Sequence, residues 1–169
     1  MEINSGMKSI KPFSEPIYCT RPLLPDLSEY TQLLECIWEN RQLTNNGPMA
    51  RKLEAELSCL LKTKYISVFS NGTAALQIAL KTLRLHGEVI TTPFTFAATT
   101  HALYWNNLTP VFCDIEEDTF TIDTDKVEEL ITPETTAILP VHVFGNPCRV
   151  GPLQQLAQKH GLKLIYDAA

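Results

Sequence analysis

The sequence predicts an α/β domain in which helices wind around a mainly parallel sheet. Three observations carry this. Short apolar stretches rich in Val, Ile, Phe and Tyr recur between Tyr65 and Asp167. Segments with apolar residues at helical spacing fall between them, the alternation expected of a parallel sheet. The later short stretches are apolar on both sides, as in strands covered on both faces.

The 169 residues suffice for one domain with a real core, or for part of a larger one. Net charge is −5 with no basic block, which argues against a nucleic-acid partner. No signal peptide is visible, and no stretch reaches the length of a membrane span. The five cysteines (Cys19, Cys36, Cys59, Cys113, Cys148) are odd in number and widely spaced, without Cys-x-x-Cys. They read as reduced thiols of a cytoplasmic protein, not a disulfide frame or zinc site.

Residues 1–25 hold four of the eleven prolines and little periodicity, and read as an N-terminal arm. Residues 26–42 read as a helix capped by Asp26 or Ser28, with Leu27, Tyr30, Leu34, Ile37 and Trp38 on one stripe. Leu43-Thr44-Asn45-Asn46-Gly47-Pro48 is a turn signal, and Pro48 suits the first position of the next helix. That helix runs to about Lys62 and is expected to bury Leu53, Leu57 and Leu60 or Leu61. Tyr65–Phe69 alternates apolar and polar and reads as a strand, and Thr73–Leu80, rich in Ala and Leu, as a helix. Strands are then expected at 88–92, 110–114, 136–142 and 162–167. Helices are expected at 96–105, 125–131 and 150–160.

In open α/β sheets ligands sit outside the carboxyl ends of the strands. The five predicted ends carry Ser70-Asn71-Gly72-Thr73, Pro93-Phe94-Thr95-Phe96, Asp114, His142 and Asp167. The first is a small, hydroxyl-bearing turn feeding a helix N-terminus. Such a turn is either an ordinary cap or an anion site, because free N–H groups and the helix dipole favour phosphate. No Walker pattern, Gly-x-Gly-x-x-Gly, Gly-x-Ser-x-Gly or metal-ligand pair at helical spacing occurs. A phosphate turn, a flat aromatic and a carboxylate suit a phosphorylated, cationic aromatic ring such as pyridoxal 5'-phosphate. Its phosphate needs donors, its face a stacking partner, and its ring nitrogen an acid that keeps it protonated.

Five blocks then resemble one family. They are Leu43–Pro48, Ser70-Asn71-Gly72-Thr73-Ala74-Ala75-Leu76, Pro93-Phe94-Thr95-Phe96-Ala97-Ala98-Thr99, Pro140-Val141-His142-Val143-Phe144-Gly145 and Asp167-Ala168-Ala169. In order and spacing, over about residues 12–169, they are similar to the DegT/DnrJ/EryC1/StrS nucleotide-sugar aminotransferases. The resemblance implies the fold type I architecture of pyridoxal-phosphate-dependent transferases, with 26–169 as part of the large, cofactor-binding domain. It implies that Gly72, Thr73 and Ala74 hold the cofactor phosphate, that Phe96 stacks on the ring, and that Asp167 pairs with the ring nitrogen. The bland alternatives stay open for each: a helix cap at Thr73, a core ring at Phe96, a turn residue at Asp167. His142 and Asn71 are further candidates, and His142 suits a structural role equally well. Asn46 and Gly47 match a loop near the sugar or a dimer partner. Asp114 reads as a structural turn or capping residue.

The resemblance also implies a nucleotide-linked keto-sugar as substrate, glutamate or another amino acid as nitrogen donor, amino-sugar supply for surface polysaccharide or antibiotic-type pathways, and a homodimer. The family's cofactor-bound lysine follows the Asp-Ala-Ala block. The nine lysines of this sequence all lie elsewhere, in the arm, in helices or at strand flanks. The expectation is therefore an N-terminal portion of such an enzyme, cut inside the last block, without its catalytic lysine or small C-terminal domain and inactive alone. A dehydratase of the same family, a non-catalytic binding or dimerising half-domain and a generic nucleotide-binding domain are the rival readings.

Overall fold

A computed structural model describes residues 13–169 except Cys19. Residues 1–12 of the expected arm, and Cys19, lie outside the described residues. The remaining residues before α1 are exposed and form neither helix nor strand. The chain divides into two compact units, one through Cys59 and one from Leu60.

The first unit carries α1 (Leu27–Asn40) and most of α2 (Pro48–Leu61). Pro48 opens α2 as predicted, because its fixed φ suits a helix start and its missing N–H is not needed there. Asp26 takes the cap position of α1, but its side chain makes no cap bond; only its main-chain carbonyl accepts, from Tyr30 N at 3.2 Å. Neither helix contains a buried residue, so the burial expected along the α2 stripe is not found. Leu57 is half-buried, whereas Leu53, Leu60 and Leu61 are exposed. A periodic apolar stripe records that a face is to be covered, not what covers it. In the loop between the helices Asn45 and Asn46 adopt left-handed φ values of 55° and 59°. Asn tolerates this conformation better than other side chains.

The second unit is the α/β layer structure. Its sheet has order β2-β1-β3-β4, formed by β1 (Glu88–Thr91), β2 (Thr109–Phe112), β3 (Thr135–Ile138) and β4 (Lys163–Leu164), all parallel. Alternation along the central strands sorts the core into two faces. Val89, Ala137 and Leu139 join Leu80 of α3 (Gly72–Thr82) and Ala102 and Leu103 of α4 (Ala97–Trp105). Ile90 and Ile138 join Val127 of α5 (Thr124–Val127) and Leu153 and Ala157 of α6 (Val150–His160). From β1 the chain crosses to β2 on one side, and from β3 to β4 on the other. Right-handed crossovers in opposite directions place their helices on opposite faces, and α4 and α6 do lie on opposite faces.

One glycine is dictated by close approach. Gly87 has φ +67°, and a Cβ there would stand 2.4 Å from Glu134 O, the carbonyl that accepts from Glu88 N.

Among the described residues four strands form where five were expected. Tyr65–Phe69 joins none of the sheet's ladders. Its alternation is visible, with Ile66 and Val68 half-buried and Tyr65 and Phe69 exposed. Yet alternation specifies a face, whereas a strand exists only against a neighbour's hydrogen bonds. The stretches at 136–142 and 162–167 shorten for a related reason. Past Ile138 the ladder survives as Ile165 N to Ile138 O at 3.0 Å, Asp167 N to Pro140 O at 3.0 Å and His142 N to Asp167 O at 2.9 Å. Pro140 has no N–H to return, which leaves an isolated Val141–Asp167 bridge in place of a continued strand. The helix expected at 125–131 is α5 followed by a 3₁₀ turn, Glu128–Leu130.

Candidate functional site

The sheet order reverses between β1 and β3, so the crevice outside their carboxyl ends is where an α/β fold places a ligand. From β1 the chain runs through Thr91 and Thr92 to Phe96, and from β3 through Leu139 to His142. The two runs are tied by the buried Thr91 hydroxyl, which donates to Leu139 O at 2.8 Å.

Phe96 is the cap residue of α4, with extended backbone, and the residue is 81% exposed. A ring left this open at a strand-end crevice is not a core ring. One turn later Thr99 N donates to Phe96 O at 3.1 Å, and the Thr99 hydroxyl donates to Asp167 Oδ2 at 2.7 Å. A single helical turn thus fixes both Phe96 and Asp167. Asp167 is 7% exposed, and its Oδ1 accepts from Ala169 N at 3.2 Å. Among the described residues it forms no ion pair. A buried carboxylate without a cation is costly; here only hydroxyl and main-chain donors offset it.

His142 reaches the same place through the backbone, donating its N–H to Asp167 O. Its ring stacks on Tyr166, with centroids 4.8 Å apart and planes at 24°. Nδ1 accepts from Cys148 N at 3.1 Å, which assigns the ring proton of the neutral imidazole to Nε2. The Tyr166 hydroxyl is buried with no hydrogen-bond partner among the described residues, and burial and the nearby Cys148 hold its pKa above the usual tyrosine range.

Asn71 is the cap of α3: its Oδ1 accepts from Ala74 N at 2.8 Å, and its carbonyl from Ala75 N at 3.2 Å. The N–H groups of Gly72 and Thr73 therefore open the helix without a described partner, beside the half-buried Thr73 hydroxyl. A Cβ on Gly72 would meet nothing within 4 Å, so the approach to these donors is open. This helix start belongs to the same layer as α4, to which α3 is tied by Asn106 Nδ2 donating to Gln77 O at 3.2 Å.

The structure therefore brings Phe96, Asp167 and His142 together, and builds Asn71, Gly72, Thr73 and Ala74 into one helix start. No described hydrogen bond joins these two groups. Asn46 and Gly47 lie in the first unit, where Arg51 Nη1 donates to Asn46 O at 2.7 Å and Arg51 N to Gly47 O at 3.1 Å. Asp114 is a turn residue as expected: Oδ1 accepts from Ile115 N and Oδ2 from Lys126 Nζ, which lowers its pKa. Sequence reasoning missed Thr99 and Thr95. Their signal was the spacing of two hydroxyls four apart, Thr95 just before the aromatic and Thr99 one helical turn after it.

The DegT/DnrJ/EryC1/StrS aminotransferase family model matches residues 26–169. The chain belongs to the DegT/DnrJ/EryC1/StrS aminotransferase family. It is 55% identical over 150 residues to a dTDP-4-amino-4,6-dideoxy-D-glucose transaminase of Escherichia coli, covering 89% of this chain and 40% of that protein. The crystal structure of DesI in the presence of its TDP-sugar product superposes with a TM-score of 0.88 at 39% identity, covering 93% of this chain and 40% of that one. NtdA from Bacillus subtilis with bound cofactor PMP gives a TM-score of 0.78 at 35% identity, covering 90% and 37%. The chain thus spans about 40% of the length of the relatives it matches. The fold class expected from the sequence agrees with these matches: the parallel α/β sheet is the one that the superposed aminotransferase structures share. No helix among the described residues is long and apolar enough to cross a membrane.

Proposed function

We infer that this chain supplies the phosphate- and ring-holding part of a cytoplasmic, pyridoxal-phosphate-dependent aminotransferase that acts on a nucleotide-linked keto-sugar. The observation that carries the reading is Asp167, a buried carboxylate with donors around it and no described cation. That donor set fits a group bringing its own positive charge, as a protonated pyridine nitrogen does. The α3 start fits the other end of the same group, with two main-chain N–H donors and a hydroxyl on the positive end of an 11-residue helix.

When bound, the cofactor supplies an electron sink for moving an amino group between an amino acid and a keto-sugar. In this reading the N–H groups of Gly72 and Thr73 and the Thr73 hydroxyl hold its phosphate, while Ala74, whose N–H the Asn71 side chain takes, belongs to the capped turn that shapes them. Phe96 lies against the ring face and excludes water from it. Asp167 holds the proton on the ring nitrogen. His142, oriented by Cys148 N and Tyr166, braces the Asp167 main chain. Asn46 and Gly47 serve the sugar side or a partner subunit. Glutamate as nitrogen donor, a homodimer and a product destined for polysaccharide are proposed on the resemblance to the family alone.

The test is titration with pyridoxamine phosphate, which binds without a covalent bond to protein. The protein as its gene encodes it is expected to bind, with D167A and F96A each weakened by about tenfold or more, the scale of a lost charged hydrogen bond or a stacked ring. Binding unaffected by either substitution would overturn the reading.

A further inference from the structure

We propose that Thr99 and Thr95 form a directional hydroxyl relay that holds Asp167 ready for a cationic ring, with Thr99 as its positioning residue. The proposal deepens the cofactor reading and rests on it. Thr99 is fully buried and stands 2.7 Å from Asp167 Oδ2 on one side and 2.7 Å from Thr95 Oγ1 on the other. Each hydroxyl has one proton. An ionised carboxylate can only accept, so the Thr99 proton points to Asp167, and the Thr95 proton must then point to Thr99. Hydrogen bonds in such a chain polarise one another, which strengthens the inner one. A protonated Asp167 would instead donate to Thr99 and reverse both bonds. The relay is therefore tied to the charge state of Asp167 that a protonated ring nitrogen requires.

The same turn of α4 presents Phe96 through Thr99 N to Phe96 O. One short segment, Thr95 to Thr99, thus sets both the stacking ring and the orientation of the carboxylate. Hydroxyls suit this better than a lysine or arginine would. They satisfy Asp167 without neutralising it, and leave its charge for the ligand.

The test uses pyridoxamine phosphate labelled with ¹⁵N in the ring, on wild type, T99V, T99S, T95V and D167N. Thr→Val keeps the shape and removes the hydroxyl. In T99V, affinity is expected to fall about tenfold, the scale of one hydrogen bond to a charged group. The ¹⁵N signal is expected to move toward the unprotonated pyridine position. T99S is expected to restore both, and T95V to shift both in the same direction by less. A merely structural Thr99 would alter thermal stability and leave the ¹⁵N position in place. If D167N moves the signal and neither T99V nor T95V does, the relay is wrong and the cofactor reading stands. If wild type binds nothing, both fall. Should T99V not fold, T95V decides by the same signal: a shift toward the unprotonated position supports the relay, and an unmoved signal overturns it.

Discussion

Asn71 separates helix stability from anion binding, because two substitutions there should move them in opposite directions. In N71A, α3 loses the 2.8 Å bond from Ala74 N. Loss of such a cap costs about 1 kcal/mol, or roughly 4 °C in midpoint for a unit of this size. Ala74 N–H is then freed beside those of Gly72 and Thr73, so phosphate binding is not expected to weaken beyond about threefold, well under one hydrogen bond. In N71D the cap acceptor stays, and a negative charge joins the positive end of the helix, stabilising it by about 0.3–1 kcal/mol. That charge lies within one helical turn, about 5.4 Å, of the donors proposed for phosphate. In water-like surroundings, suited to an exposed residue, each unit-charge pair at that distance repels by about 0.8 kcal/mol. A phosphate of charge about −2 doubles this, which is roughly tenfold in affinity. Thermal unfolding without ligand and titration with pyridoxamine phosphate give the two readings. N71A should be less stable and still bind; N71D should be more stable and bind about tenfold less tightly. N71D binding as tightly as wild type would refute the placement of phosphate at this helix end.

Two further predictions concern the fold. G87A should lower stability by about 2–4 kcal/mol, from a strained φ and from a Cβ 2.4 Å from Glu134 O that forces β1 and the 132–135 turn apart; an unchanged denaturation midpoint would count against this packing. Burial, with the Asp123 and Asp114 carboxylates adding to it and Lys126 opposing, raises the Cys113 thiol to about 11. Near pH 8, Cys113 and the equally buried Cys148 should resist a thiol reagent that modifies the exposed Cys36 and Cys59. Because the folded pKa is raised, Cys113 adds no pH dependence below the unfolded thiol value. Its contribution to stability is lost as pH rises from about 9 toward 11, which unfolding at graded pH would show.

Much of the second unit was legible because its signals are local. α6 runs from Val150 to His160 as its spacing predicts, and the left-handed Gly161 ends it. Asn71 caps α3 with the side chain its chemistry suggests. What depended on partners was not legible. Tyr65–Phe69 carries a strand's alternation without a place in the sheet. Pro140 cuts short two stretches whose apolar pattern runs on, because the pattern is blind to a missing donor. The stripes of α1 and α2 named faces, not what meets them. In the site, the residue types at strand ends pointed to Phe96, Asp167 and His142. Their order around Asp167 did not show. Thr within a helix reads as a modest helix former, and only the fold turns Thr99 toward a carboxylate 68 positions away.

The most direct measurement is a crystal structure of the protein, as its gene encodes it, grown with pyridoxamine phosphate. The account predicts the phosphate on the N–H groups of Gly72 and Thr73, the ring against Phe96, and the ring nitrogen within hydrogen-bond distance of Asp167. A ligand bound elsewhere, or a ring nitrogen turned away from Asp167, would contradict it.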